Sequence, residues 1–277
     1  MLKNLRKITS LLLVMTLVVL FFGPASANAA TIGASNDKKD AQVIYRAVGS
    51  SVSAKMRESL SDFSISVKEN TELEIVKAKD EEGTILYATT REGALVTQSA
   101  LMAIGDNGEL KTFTAEDVVT ASSNFYGEGA DVNPFNNSFQ ISFSVSFYAY
   151  SYGSDRYGII RPKLAMFMYK DPNNLYTISE LVMNYDCYGV LGEFDGTNID
   201  TSISDDGEVT RYRITKAQTN PARNTYYSRT REIASNRALL MYGGDCMQEI
   251  AYTLVGVRNS TGASFDITDY VMVDVYF

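Results

Sequence analysis

The sequence predicts a mainly β protein: an antiparallel β-sandwich, with the jelly roll as one form of it, and one short N-terminal helix. Three observations carry this. Ser138 to Tyr152, SFQISFSVSFYAYSY, puts Phe139, Ile141, Phe143, Val145, Phe147 and Ala149 on odd positions, with Gln, Ser and Tyr between them. A strand points successive side chains to opposite faces, so this is one long strand with an apolar face and a Ser/Tyr face. About ten further apolar segments are separated by turn signals roughly every 8–20 residues. They do not alternate with helices, which argues against a parallel sheet.

The chain opens with Lys3, Arg6 and Lys7, then an apolar run from Leu11 to Phe22 broken only by Thr16. Gly23-Pro24 ends the run, and Ala25-Ser26-Ala27 and Ala27-Asn28-Ala29 are overlapping A-x-A cleavage sites. Residues 1–29 therefore read as an export signal. The run is short for a bilayer span, which needs about 20 apolar residues. No Cys follows it to carry a bacterial lipid anchor. The expected location is outside the cell.

Thr31 to Lys39 is small and polar and reads as a tail. Val52, Met56 and Leu60 follow at helical spacing, with Phe63 on the same side and Ser50 or Ser51 as cap, which predicts a helix over Ser51 to Ser61. Glu72 to Thr90 reads as a hairpin turning at Asp80 to Gly83, Ala94 to Ile104 as a third strand and Glu109 to Phe113 as a fourth. TASSNFYGEGADVNPFNN, Thr120 to Asn137, is rich in Ser, Asn, Gly and Pro. The expected organisation is an α+β segment over 30–119, a linker over 120–137 and the sandwich over 138–277, the alternative being that 120–137 is a long loop within one domain.

Beyond the long strand, Gly153 to Asp155 turns and Ile160 to Met168 returns, with Pro162 near its start, where proline does least damage. Asp171-Pro172-Asn173-Asn174 is a strong turn. Tyr176 to Tyr188 and Glu208 to Lys216 are strands, with a polar, acidic stretch from Gly192 to Asp206 between them. Asn220-Pro221 turns, and Tyr226 to Ala234, Ala238 to Tyr242, Met247 to Val257 and Tyr270 to Phe277 complete the set.

Charge excludes some functions. The chain has 25 Lys and Arg against 33 Asp and Glu, a net of −8, and without Lys3, Arg6 and Lys7 the balance is 22 against 33, a net of −11. That argues against nucleic acid and against simple adhesion to anionic lipid. There is no histidine, so no Ser-His-Asp triad, Cys-His pair or imidazole base operates. Paired carboxylates remain for glycoside hydrolysis, drawn from Glu180, Asp186, Glu193, Asp245, Glu249, Asp269 and Asp274. The absence of Trp, a favoured sugar-stacking wall, weakens that case.

Three smaller constellations stand out. Tyr148, Tyr150 and Tyr152 share one strand face and could stack a sugar chain or a peptide, spanning roughly 13 Å; the bland alternative is ordinary cross-strand packing. Asp195, Asn198, Asp200, Asp205, Asp206 and Glu208 crowd hard oxygen ligands into one segment, which would suit Ca²⁺ without EF-hand spacing, against the simpler reading of a solvated acidic loop. Cys187 and Cys246 are the two cysteines. In an oxidising compartment such a pair is expected to bridge, closing a loop of about 60 residues worth roughly 4 kcal/mol. Two cysteines without histidine do not suggest zinc.

The function expected from these features is a secreted, non-catalytic binding or surface-interaction module for an extracellular glycan or protein, with no cofactor other than calcium. One alternative is a pore-former that inserts the 139–168 amphipathic hairpin, whose strands have the length to span a membrane. The other is a carboxylate-dependent glycosidase.

Overall fold

The computed structural model describes residues 42–52, 54, 57, 60, 65–79, 84–104, 139–152, 154–202, 208–242 and 246–273. Residues 1–41, with the expected export signal and tail, lie outside the described residues, as do the strand expected over 109–113 and the linker expected over 120–137.

Among the described residues thirteen strands follow in order: β1 (Gln42–Val48), β2 (Glu72–Lys79), β3 (Thr84–Glu92), β4 (Leu95–Ile104), β5 (Phe139–Tyr152), β6 (Ser154–Lys170), β7 (Tyr176–Phe194), β8 (Ile199–Asp200), β9 (Val209–Thr219), β10 (Tyr227–Thr230), β11 (Arg237–Met241), β12 (Met247–Arg258) and β13 (Ser264–Val273). All pairings are antiparallel. The prediction of a mainly antiparallel β chain holds. One large sheet forms, and the expected sandwich is not confirmed. The strands belong to one sheet in the order β1-β2-β3-β4-β5-β6-β11-β7-β12-β13, with β10 on β6 and β8 and β9 on β7.

The expected helix over 51–61 is not found as an element. The chain makes a 3-10 turn at Gly49–Ser51. Ala54, Arg57 and Leu60 have helical backbone, and the positions between them lie outside the described residues. Arg57 is used locally: its guanidinium donates to the carbonyl oxygens of Gly49, Val52 and Val67.

One sheet can bury so many apolar residues because it turns back on itself. Phe143 of β5 packs against Tyr252 of β12, ring centroids 4.7 Å apart, and Phe139 of β5 meets Tyr176 of β7 edge-on at 5.1 Å. β5 and β12 are not neighbours in the strand order, so these contacts join two halves of the sheet across a shared core. The odd side chains of β5 enter that core. Its even side chains are buried too: Gln140, Ser142, Ser144 and Ser146 are all under 8% exposed. A second apolar cluster on the β2–β4 part of the sheet is closed by Val52, Leu60, Ile65 and Val67. Buried hydroxyls need partners, and the β4–β5 register supplies them. Ser99 Oγ donates to Ser144 Oγ at 2.7 Å, and Thr97 and Ser146 hydroxyls pair at 2.8 Å.

The turns follow their chemistry. Asn174 and Asn220 adopt φ of 52° and 44°, a region asparagine tolerates. Asp171 accepts the backbone N–H groups of Leu175 and Tyr176, both at 2.9 Å, and so closes the β6–β7 turn. β7 continues past Tyr188, where the sequence suggested an end, because Gly189 and Gly192 let neighbours approach. A Cβ on Gly192 would sit 2.4 Å from Ile199 Cγ1 of β8.

The expected disulfide is absent: Cys187 and Cys246 are both buried and not bonded to each other. Register explains it. Cys187 of β7 faces Gln248 of β12, and Met247 faces Tyr188, so Cys246 precedes the ladder at a diagonal position. Diagonal neighbours lie roughly 7–8 Å apart, too far for an S–S bond. Gln248 Oε1 instead accepts from the Cys187 thiol at 3.4 Å and from the Tyr185 hydroxyl.

Candidate functional site

β9 and β10 are both edge strands. Among the described residues β9 pairs only with β7 and β10 only with β6. Their partners β6 and β7 both pair with β11, which brings these two edges side by side without a ladder between them, and side chains bridge the seam. Arg231, just past β10, donates from Nη1 to the Arg213 carbonyl of β9 at 2.7 Å. The Tyr212 hydroxyl of β9 donates to the Arg231 carbonyl at 3.0 Å, and the Arg231 guanidinium lies 5.0 Å from the Tyr212 ring centroid. Lys216 of β9 sits 5.7 Å from the ring centroid of Tyr227 of β10.

Along this seam lies an open cleft of about 540 Å³, lined by Arg213, Thr215, Lys216, Ala217, Ser228, Arg229 and Arg231. Four of the seven are cationic and none is acidic. Volumes of a few hundred Å³ are typical of small-ligand pockets. Sequence reading missed this site. Its residues sit in two short segments, 213–217 and 228–231, whose excess of Arg and Lys within an acidic chain was the only available signal.

One wall is held by a buried carboxylate. Asp186 lies on the face of β7 opposite Tyr185 and Cys187 and has no solvent exposure. Arg211 and Arg213 each grip it with two hydrogen bonds: Nε to Oδ1 at 2.8 and 2.7 Å, and Nη2 to Oδ2 at 2.7 and 2.8 Å. Burial pushes the Asp186 carboxyl up from its ordinary value, and the Arg211 hydrogen bonds and charge oppose that. Across the β7–β12 ladder Asp186 faces Glu249. Burial raises the Glu249 carboxyl first, and the Asp186 charge adds to it. The Tyr188 hydroxyl donates to Glu249 at 3.3 Å, and the Arg211 guanidinium lies 5.4 Å from the Tyr188 ring centroid.

Of the seven carboxylates weighed for hydrolysis, Asp186 and Glu249 are thus register partners. Both oxygens of the buried Asp186 are taken by the guanidinium groups that cover it, which leaves neither for a substrate. Glu193 faces Arg237 of β11, with ion-pair atoms 3.7 Å apart, and Glu180 faces Val255 and Thr219. Asp269 is half-buried on β13. Asp245 and Asp274 lie outside the described residues.

Tyr148, Tyr150 and Tyr152 share a strand face and are all half-buried. They meet different surroundings. Tyr148 accepts a hydrogen bond from Lys163 Nζ at 2.9 Å, with the Lys163 ammonium 5.0 Å and the Arg161 guanidinium 5.8 Å from its ring centroid. The Tyr150 ring packs on Phe194 at 5.0 Å. Tyr150 and Tyr152 both join a small core of Ile159, Phe194, Ile199 and Ala238.

In the acidic segment, Asp195 Oδ1 accepts the N–H groups of Thr197 at 2.8 Å and Asn198 at 2.7 Å, and Asp200 Oδ1 accepts that of Ser202 at 2.9 Å. These bonds hold both carboxyls below the usual range, and those of Asp195 close the β7–β8 turn. Glu208 is exposed just before β9. Asp205 and Asp206 lie outside the described residues, and among the described residues no three Cys, Asp or Glu side chains gather as a metal site. The chain matches no protein-family model and no curated protein sequence.

Proposed function

We propose that this chain is an exported, non-catalytic binding module that recognises an extracellular glycan through the cleft between β9 and β10. The observation that carries the reading is the cleft itself: an open, polar-lined depression between two strand edges, fixed on a continuous sheet. β9 is held by β7 from Val209 to Thr219, so the recognition residues ride on a rigid frame. Arg213 is locked by Asp186 and Arg231 by the Arg213 carbonyl, so two of the lining side chains are ordered before any ligand arrives, which lowers the entropy cost of binding.

The pore-forming alternative requires 139–168 to leave the sheet. β5 is flanked by β4 from Leu95 to Ile104 and by β6 from Ser154 to Lys170, and both its faces are buried. Extracting it would open the main core and the hydroxyl pairs together. That cost weighs for the binding reading.

The test is a glycan array probed with the chain lacking residues 1–29, followed by calorimetry on the best hits. A saturable glycan hit, weakened by Arg229→Ala, supports the reading. Hydrolysis of a hit glycan, or leakage of dye from liposomes, overturns it in favour of the corresponding alternative.

A further inference from the structure

We infer that the cleft takes an acidic oligosaccharide, its carboxylate or sulfate groups held by Lys216 and Arg229 and its sugar hydroxyls by Thr215 and Ser228. This rests on the binding-module reading and names the ligand class for it. The cations of the cleft are not equally committed. The Arg213 fork is spent on Asp186, and one Arg231 nitrogen is spent on a backbone carbonyl. Among the described residues neither Lys216 nor Arg229 is paired with a carboxylate, and Arg229 is exposed. Two cations with no carboxylate partner among the described residues, backed by two ordered ones, line one open cleft and make a local positive field in a chain of net charge −8. A guanidinium presents a planar fork that matches carboxylate and sulfate oxygens.

The same net charge limits what kind of anion can enter. A long polyanion such as duplex DNA, or an anionic membrane, would meet repulsion from the rest of the surface. A short acidic glycan would place its few charges inside the cleft and little outside it. The lining also offers neutral hydrogen bonding. Thr215 Oγ1 donates to Asn184 Oδ1 at 2.7 Å, which leaves its lone pairs to accept from a sugar hydroxyl, and Ser228 lies across the seam.

The experiment is isothermal calorimetry with four probes: a trigalacturonate carrying carboxylates only, a heparin-derived tetrasaccharide carrying sulfates, neutral cellotetraose, and a short acidic peptide. Trigalacturonate, the heparin tetrasaccharide or both should bind, and their relative affinity decides between carboxylate and sulfate. Lys216→Ala with Arg229→Ala should weaken that binding at least tenfold, and Arg46→Ala, an exposed arginine paired with Glu74, should leave it unchanged. If the double variant fails to fold, a salt titration of the unaltered chain replaces it. Affinity should then fall several-fold between 50 and 200 mM NaCl, on the order expected when about two ion contacts form.

Equal binding of cellotetraose and the acidic probes overturns the inference, as does acidic-probe binding indifferent to both variants and salt. Preference for the acidic peptide overturns it too. If a neutral glycan binds while the acidic ones do not, the inference falls and the binding-module reading stands. If no glycan binds at all, that reading falls with it.

Discussion

Arg213 grips the carboxylate of Asp186 with Nε to Oδ1 at 2.7 Å and Nη2 to Oδ2 at 2.8 Å, while its side chain also lines the β9–β10 cleft. One arginine therefore couples a buried charge to the proposed recognition surface. Asp186 is fully buried because Arg211 and Arg213 cover it, and those two remain about 40% exposed at 43% and 39%. The asymmetry sets the sign of a mutation. Asp186→Asn keeps the volume and removes the charge, so four charge-assisted bonds weaken and two guanidiniums repel. We expect a loss of about 2–4 kcal/mol in urea denaturation. Arg211→Ala alone should cost less, because Arg213 still neutralises the carboxylate.

The cysteines give a prediction opposite to the one the compartment suggested. Both are buried and unbridged, and burial pushes the Cys187 thiol far above its ordinary value. The native chain should take up no thiol-alkylating reagent at pH 8 within an hour, and two equivalents per chain in denaturant, read by mass spectrometry. Reducing agent should leave Tm unchanged. A Tm drop of several degrees on reduction would reveal a bridge and contradict the register that separates Cys246 from Cys187.

The buried hydroxyls of the β4–β5 ladder make a third prediction. Ser144→Ala leaves Ser99 Oγ without its partner inside the sheet, a cost of about 1–2 kcal/mol. Ser99→Ala with Ser144→Ala removes both polar groups, and the double variant should cost no more than the single one. A double-mutant cycle with a coupling energy near 1 kcal/mol is the expected result; strict additivity would show that the hydroxyls do not serve each other.

These serines also show how far the sequence could be read. The alternation from Phe139 to Ala149 identified β5 because a period of two has one structural meaning. It left open whether the Ser/Tyr face is wet or covered, since Ser144 and Ser146 can bond to water or to a neighbouring strand. Their actual partners, Ser99 and Thr97, lie some 45 residues away, and only the register sets that meeting. Gly189 and Gly192 look like strand breakers and are close-approach positions within β7. The Asp186–Arg211–Arg213 cluster is set by the β7–β9 register, and the cleft by β9 and β10 lying on the facing strands β7 and β6. Local periodicity carries no trace of either. The turns at Asp171 to Asn174 and Asn220-Pro221 were legible because their chemistry is local.

Glu249 supplies a pH prediction whose direction can be derived. Burial and the facing Asp186 raise its carboxyl above the value it has in the unfolded chain. Between those two values the folded state holds more protons than the unfolded one, so stability falls as pH rises through that window. Glu249→Gln removes the ionisation at one member of the pair and keeps an acceptor for the Tyr188 hydroxyl. The variant should therefore be more stable than the unaltered chain at pH 7, and its Tm should decline less between pH 4 and pH 7. At this chain length each kcal/mol gained corresponds to about 2–4 °C. The gain should vanish at pH 4, where the glutamate is itself protonated in the fold. A variant less stable than the parent at pH 7 would mean that the Glu249 charge is held by the Arg211 field more strongly than Asp186 and burial oppose it, and the two facing carboxyls would have to be regarded as a stabilising part of the arginine cluster.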